Sequence, residues 1–487
     1  MNPRTHFKQI PGSICAPRGF KAAAVFCDIK RLGTGKGSEK GRKDDLALIV
    51  SDEPAAVAGM FTTNQVCAAP VKVSARHAAK KFARAIVVNS GNANACTGVR
   101  GMADAEKMTE LAGQSLGIEA REVLVCSTGR IGVQMPMANV ACGIADAAAR
   151  LSRSRLSARQ ASEAIMTSDT RRKEIAVEFG MGDARVRLGG ICKGAGMIQP
   201  GMSSTGKRPA AGLHATMLAF LTTDAAVDPD FLKEALEKAV RQSFNRITVD
   251  GDMSTNDTVL ILANGMAENS PLARASFGRA RLRRAEQVFC SRRPVGDATR
   301  AMERDSLRAA KRLQEKLDGV SPYQKIFQSA LNFVTLELAK MIVRDGEGVT
   351  RFITLHVHGG RSAADAEAVA RAVANSTLVK TSWFGGDPNW GRILCAMGYS
   401  SAHVDDAKVD VGYSRPKGSR ITFGVRCGQP TRVGLQTLGA IVSQPEFDLH
   451  IFLNAGRHDC VLYTSDLTEE YVEFNKGNLS DPKSLGG

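Results

Sequence analysis

Aromatic side chains are scarce in this chain: they make up 5% of its 487 residues, and Trp occurs only 2 times. The 11 cysteines form no CxxC pair, so neither a disulfide framework nor a local zinc motif is suggested. Most of them read as small buried hydrophobes. No apolar run reaches the roughly 18 to 20 residues that a bilayer span needs, and the start, MNPRTHFKQIPGS, has no apolar secretion core. The expected compartment is therefore cytoplasmic, with no membrane partner.

What is present is a basic balance, with a formal net charge of +16. Between Ala273 and Lys316, 11 Arg and 2 Lys stand against 5 acidic residues, so half of the excess lies in one segment. The segment reads as basic helical surface broken at Pro294 and Gly296, without the regular interleaving of aromatics that stacks bases. A solvated inserted arm is expected, and nucleic-acid binding is not. The chain length suggests two to four domains at roughly 150 residues each.

Apolar β-rich runs alternate with small-residue helices. Strands are expected at Asp45 to Ser51, Arg84 to Val88 and Glu122 to Ser127, and helices at Met102 to Leu116 and Asn139 to Leu151. Further helices are expected from about Asp230 to Phe244 and Lys325 to Val343. After Arg351 a new strand, helix, strand pattern begins with RFITLHVHG. The pattern is α/β, with a first domain over residues 1–340 and a smaller α/β domain over residues 341–487.

The segment His214-Ala215-Thr216-Met217 sits between a Gly- and Ser-rich loop and an apolar run. A threonine hydroxyl needs an adjacent base, and an N-terminal threonine carries one in its own α-amine, with a pKa of roughly 7.7 to 8.0. Attack of the Thr216 hydroxyl on the Ala215 carbonyl, then hydrolysis of the ester, would create that terminus. The plainer alternative is an N-cap threonine opening a buried element. Thr128 and Gly129, on a turn after a strand, could aim a hydroxyl and a backbone N–H at a developing oxyanion, or simply make the turn.

Lys193, opening KGAGMI, could hold a carboxylate, and Glu347 in DGEG could hold an ammonium group. Neither KGAG nor GTGKGS near Gly35 meets the Walker spacing, so no nucleotide site is expected. Asp250, Asp252 and Asp257 in VDGDMSTND lack the twelfth-position Glu of a calcium loop and read as a structural turn. His356 and His358 alternate on a strand and share one face. No third ligand is evident beside them, so they read as solvent-facing and no metal is expected. The loop Phe384 to Gly391 is turn-rich and could wall a pocket.

Nine segments in order, PAAVAGMFTTNQVCAAPV, NSGNANACTG, STGRIGVQMPM, KGAGMI, ATMLAFLTTDA, SFNRITVDGDMSTNDT, RDGEGVTRF, LVKTSWFGGDPNWGRIL and TSDLTEEYVEFN, span nearly the whole chain. Together they resemble the ornithine acetyltransferase (glutamate N-acetyltransferase) family of arginine biosynthesis. The resemblance implies an αββα sandwich like that of N-terminal-nucleophile hydrolases, plus the second α/β domain. It implies self-cleavage between Ala215 and Thr216, an acetyl-Thr216 intermediate, and transfer of acetyl from N-acetylornithine to glutamate. Thr128 and Gly129 match the family's oxyanion hole. Thr167 or Thr170, Lys193, Thr216, Glu347, Asn475 and Ser480 match its substrate-binding positions.

No cofactor is implied, acetyl-CoA is left open as an additional acetyl donor, and an assembly of two α and two β chains is usual. An N-terminal-threonine amidase or aminopeptidase, with water as acceptor, is the alternative activity. The chain departs from the family pattern in a longer loop before Thr216, in the basic segment, and in having Ser480 where a terminal threonine is common. A longer loop costs little, about 0.6 kcal/mol of closure entropy per doubling.

Overall fold

The computed structural model describes residues 7–30, 43–206, 217–273, 321–416, 418 and 420–476. Ala215, Thr216, Ser480 and nearly all of the basic segment lie outside them. Strands β1 (Phe7–Gln9), β2 (Phe20–Val25), β3 (Leu46–Thr62), β4 (Phe82–Asn92), β5 (Val123–Arg130), β6 (Lys173–Met181), β7 (Ala184–Lys193), β8 (Met202–Ser203), β9 (Leu218–Thr223) and β10 (Thr258–Ala263) form one 10-stranded sheet. Its main order is β1-β6-β7-β9-β10-β3-β4-β5, with β2 and β8 also on β3.

The sheet doubles over on itself through β3. Residues 46–51 of this strand pair with β2 and β4, whereas residues 56–61 pair with β10, and the register with β4 shifts between Val50 and Ala55. The sequence reading expects the strand only from Asp45 to Ser51, before Asp52-Glu53-Pro54. Those residues instead form the irregular crossing point, where proline's missing N–H is tolerated.

Alternation then sorts side chains into layers. Val259 and Ile261 of β10 pack with Leu236 and Leu331, on helices α5 and α6. Leu260 and Leu262 point the other way, toward Ile49, Ile86 and Leu124. Val87 and Val125 face Met108 and Ile144, on helices α2 and α3. In chain order the helices are α1 (Ala69–Ala78), α2 (Gly98–Leu116), α3 (Met137–Ala149), α4 (Arg155–Ala164), α5 (Pro229–Gln242) and α6 (Pro322–Arg344). Helix, sheet, sheet, helix is thus the sequence of layers, an αββα sandwich. Strands β9 and β10 are buried along their whole length, which is why they read as unbroken apolar runs.

The helix starts are locally specified. Asp228 caps α5, accepting from Asp230 and Phe231 N–H ahead of Pro229 at the first turn. Ser321 and Gln324 make a reciprocal capping box at α6. Helix α6 is long and apolar enough to cross a membrane, but its apolar face is taken up by the first sheet through Phe327, Leu331, Val334 and Leu338.

A second, 6-stranded sheet contains β11 (Phe352–Gly360), β12 (Asp410–Ser414), β13 (Thr422–Arg426), β14 (Gln429–Pro430), β15 (Glu446–Phe452) and β16 (His458–Ser465), in the order β14-β13-β12-β15-β11-β16. Helices α7 (Ala363–Asn375), α8 (Thr377–Phe384), α9 (Trp390–Gly398) and α10 (Leu435–Val442) cover one face, over Ile353, Leu355 and Val357. The short α11 (Glu469–Asn475) returns toward the first sheet, because Thr468 caps it and donates to the Gly348 carbonyl at 2.7 Å.

Candidate active site

Lys193 ends β7 and Thr128 lies near the end of β5, in opposite halves of the sandwich. The lysine is 3% exposed, and its Nζ donates to Thr128 Oγ1 at 3.1 Å. An ammonium group has only donors, so the threonine oxygen is the acceptor and the hydroxyl hydrogen is left to point elsewhere. Burial pulls the Lys193 ammonium below its usual range, and the nearby Asp169 carboxylate works against that shift. Lys193 also pairs across the ladder with Leu218, two positions after Thr216 in the chain.

The Thr128-Gly129 pair belongs to the strand and not to a turn after it, which corrects the sequence reading. Gly129 pairs with Gly91 in the parallel ladder between β4 and β5. Its φ is +125°, and a Cβ there would stand 2.3 Å from the Gly91 carbonyl carbon. Both the backbone conformation and the space therefore demand glycine. Gly129→Ala should lower stability by about 1–3 kcal/mol from backbone strain alone and displace Thr128, the first effect measured as a lower urea midpoint.

Beneath Lys193 lies a buried charge cluster. Lys173 Nζ bonds both Asp169 Oδ1 and Asp345 Oδ2, and all three side chains are at most 1% exposed. Asp169 Oδ1 also accepts the Gly194 N–H at 2.7 Å, and Oδ2 accepts the Thr167 N–H at 3.0 Å. Burial opposes ionisation of Asp169, but Lys173, Lys193 and the Gly194 N–H together hold it well below the usual carboxylate range. Lys173 is raised in turn, since the two carboxylates outweigh its burial.

The cluster distinguishes the two candidate threonines. Thr170 gives its hydroxyl and its N–H to Asp345, so its side chain is committed to the scaffold. Thr167 uses only its N–H on Asp169 among the described hydrogen bonds, and it is half-buried.

Glu347 follows Asp345 by two residues, and its N–H donates to the Ala195 carbonyl at 3.0 Å. Its Oε2 accepts from Asn475 Nδ2, also at 3.0 Å. A Cβ on Gly196 would sit 2.5 Å from the Glu347 carboxyl group, so this glycine is what lets the KGAGMI loop lie against the acid. The same loop is anchored by Asp250, which accepts from Met197 and Ile198 N–H at 2.6 and 2.7 Å. Its reading as a structural turn residue agrees with those bonds.

Asp257 behaves differently. It is fully buried, its Oδ1 accepts the Met217 N–H, and its Oδ2 has no hydrogen-bond partner among the described residues. Burial pushes its carboxyl well above the usual range. Asn256 beside it donates to the carbonyls of Ala93 and Ser127 at 2.7 and 2.8 Å, tying the start of β10 to the residue before Thr128. The sequence reading missed Asp257, Asp169, Lys173 and Asp345 as site residues. Asp257 and Asp345 stand inside quoted motifs, Asp169 lies between the candidate threonines Thr167 and Thr170, and Lys173 lies one helical-type spacing after Asp169. The segment Phe384 to Gly391 joins α8 to α9, and Arg351 Nη1 donates to the Phe384 carbonyl at 2.6 Å.

The geometry thus joins Lys193 to Thr128 and to the strand that begins just after Thr216, and joins Glu347 to Asn475 and to the loop that follows Lys193. The ArgJ family model matches residues 22–478. The arginine biosynthesis bifunctional protein ArgJ of Geobacter sulfurreducens is 41% identical over 94% of this chain and 98% of its own length. The glutamate N-acetyltransferase of Methanocaldococcus jannaschii is 40% identical over 96% of this chain and 98% of its own. A solved structure of ornithine acetyltransferase from Mycobacterium tuberculosis, complexed with ornithine, is 36% identical; it covers 40% of this chain and 100% of that one, with a TM-score of 0.37. On the family match and on identity extending over nearly its whole length, the chain belongs to the ArgJ family.

Proposed function

We infer that this protein is a glutamate N-acetyltransferase of arginine biosynthesis that moves acetyl from N-acetylornithine to glutamate. In the proposed reaction the Thr216 hydroxyl attacks the acetyl carbonyl, ornithine leaves with the proton taken up by the freed α-amine, and an acetyl ester remains. The glutamate amine then attacks that ester, releasing N-acetylglutamate and the hydroxyl. The observation that carries the site assignment is the Lys193 to Thr128 hydrogen bond. It makes Thr128 an acceptor on one side and so a donor on the other, and the adjacent cation strengthens that donor. Thr128 and the Gly129 N–H are proposed to stabilise the oxyanion in both half-reactions.

Maturation uses the same groups. Asp257 holds the Met217 N–H, and through that bond it is proposed to fix the segment on which Thr216 attacks the Ala215 carbonyl. Substrate is proposed to be bound by the Thr167 hydroxyl and by Glu347 with Asn475, the acid meeting an ammonium group. Ser480, standing where the family commonly has a terminal threonine, is proposed as a further binding position. Glu347→Gln should lower kcat/KM for N-acetylornithine about 10- to 100-fold, chiefly through KM, since a hydrogen bond to a charged group contributes about 1.5–3 kcal/mol. Initial-rate measurements check this.

The decisive assay supplies N-acetylornithine with and without glutamate. Ornithine and N-acetylglutamate should form in equal amounts and only with glutamate present. Deacetylation at the full rate without glutamate would make the protein an amidase and sink this reading. Replacing the donor by acetyl-CoA in the same assay tests the second donor, and light scattering tests the proposed assembly of two α and two β chains.

A further inference from the structure

His356 and His358 lack a third partner in the sequence, but the second sheet supplies one. Strands β11 and β15 run parallel with His356 opposite His450. Because side chains alternate, His356, His358 and His450 share the face opposite Ile353, Leu355, Leu449 and Ile451, which pack under the helices. Ring centroids of His356 and His450 are 4.8 Å apart, and His358 lies 6.0 and 5.9 Å from them. One ring nitrogen from each of the three lies within 4.8 Å of the others.

The surroundings are those of a ligand set. His450 is 9% exposed; Ser414 Oγ lies 3.0 Å from its Nε2, and its Nδ1 is buried without a hydrogen-bond partner among the described residues. A ring held at one nitrogen with the other free is the arrangement by which metal-binding imidazoles are oriented. Asp448 Oδ2 stands 3.8 Å from His356 Nε2, and Asp459 Oδ2 stands 3.6 Å from His358 Nδ1. Phe452 backs the His358 ring at 4.5 Å, giving the cluster an apolar wall. Two imidazoles two residues apart on one strand and a third on the adjacent strand can face one ion. Zinc bound at about 2.0–2.1 Å to each nitrogen needs the nitrogens about 3.3 Å apart, which rotation of the two half-exposed rings can reach.

We propose that His356, His358 and His450 form a site for one divalent transition-metal ion of the zinc class, with Asp448 as the fourth ligand. The ion would clip β11 to β15, neighbouring strands of the second sheet that are far apart in the chain, beyond the ladder that already pairs them. Neither strand carries a residue of the proposed transfer machinery, so the site is structural.

The test uses the full protein purified without a histidine tag, stripped with a chelator and titrated with Zn2+ by calorimetry and with Co2+ by visible absorption. The expected result is one ion per chain, a higher Tm with metal, and a Co2+ spectrum without a thiolate charge-transfer band. His450→Asn and the half-exposed His358→Gln should each weaken binding at least about tenfold; the second carries the test if the first does not fold. No saturable binding, a thiolate band, or unchanged affinity in His358→Gln would each overturn the proposal.

Discussion

Thr216→Ala should yield one uncut chain and lose acetyl transfer by at least about 10⁴-fold, a scale set by removal of a single nucleophile from other acyl-transfer enzymes. One substitution removes both the group that would open the Ala215 carbonyl and the group that would carry acetyl. Denaturing mass measurement reads the first effect: the unaltered protein should give two fragments divided before Thr216. Thr216→Ser separates the roles, because serine keeps a hydroxyl and, once cut, an α-amine; it should process and transfer slowly. An intact chain in the unaltered protein, with normal transfer, would overturn the self-cleavage and the proposed amine base together.

Lys173→Met should cost about 3–5 kcal/mol of folding stability, the usual penalty for removing one partner from a buried ion cluster. The loss strands Asp169 and Asp345, both at most 1% exposed. Urea denaturation reads it as a lower midpoint, and the damage should extend to Lys193 and the Gly194 N–H, which depend on Asp169. The pH dependence has a defined sign at each end. Asp169 is depressed in the folded state, so its contribution is present above the unfolded carboxylate value of about 3.9 and is lost as pH falls through the folded value. Lys173 is raised, so its contribution is present below about 10.4 and is lost as pH rises through its folded value. The difference between the unaltered protein and Lys173→Met should therefore be widest between these limits.

Local pattern carried much of the fold. Helices α5 and α6 were expected within a few residues of where they lie and the apolar run after Thr216 is β9, whereas the caps Asp228 and Ser321 and strand β10 were not read. The crossing in β3 was not legible, because polar residues with a proline look the same whether they end a strand or let it change sheets. Lys193, Glu347 and Thr128 were legible as motif residues, whereas the partners that define their chemistry were not. Lys193 meets Thr128 across the sandwich, from strands that are not paired with each other, and His356 meets His450 through the register of two strands far apart in sequence. Periodicity along the chain contains no information about that register.

The middle of the first sheet runs β7-β9-β10-β3. A chain ending at residue 215 contains the outer two of these strands and none of the inner two. Alone, such a fragment would present two raw edges facing a gap two strands wide, with its apolar middle layer open. Splitting the gene at this position should thus give insoluble halves when each is produced alone and a working enzyme when both are made in one cell. A cut there would divide the backbone but leave two mutually dependent halves, each the template on which the other is completed.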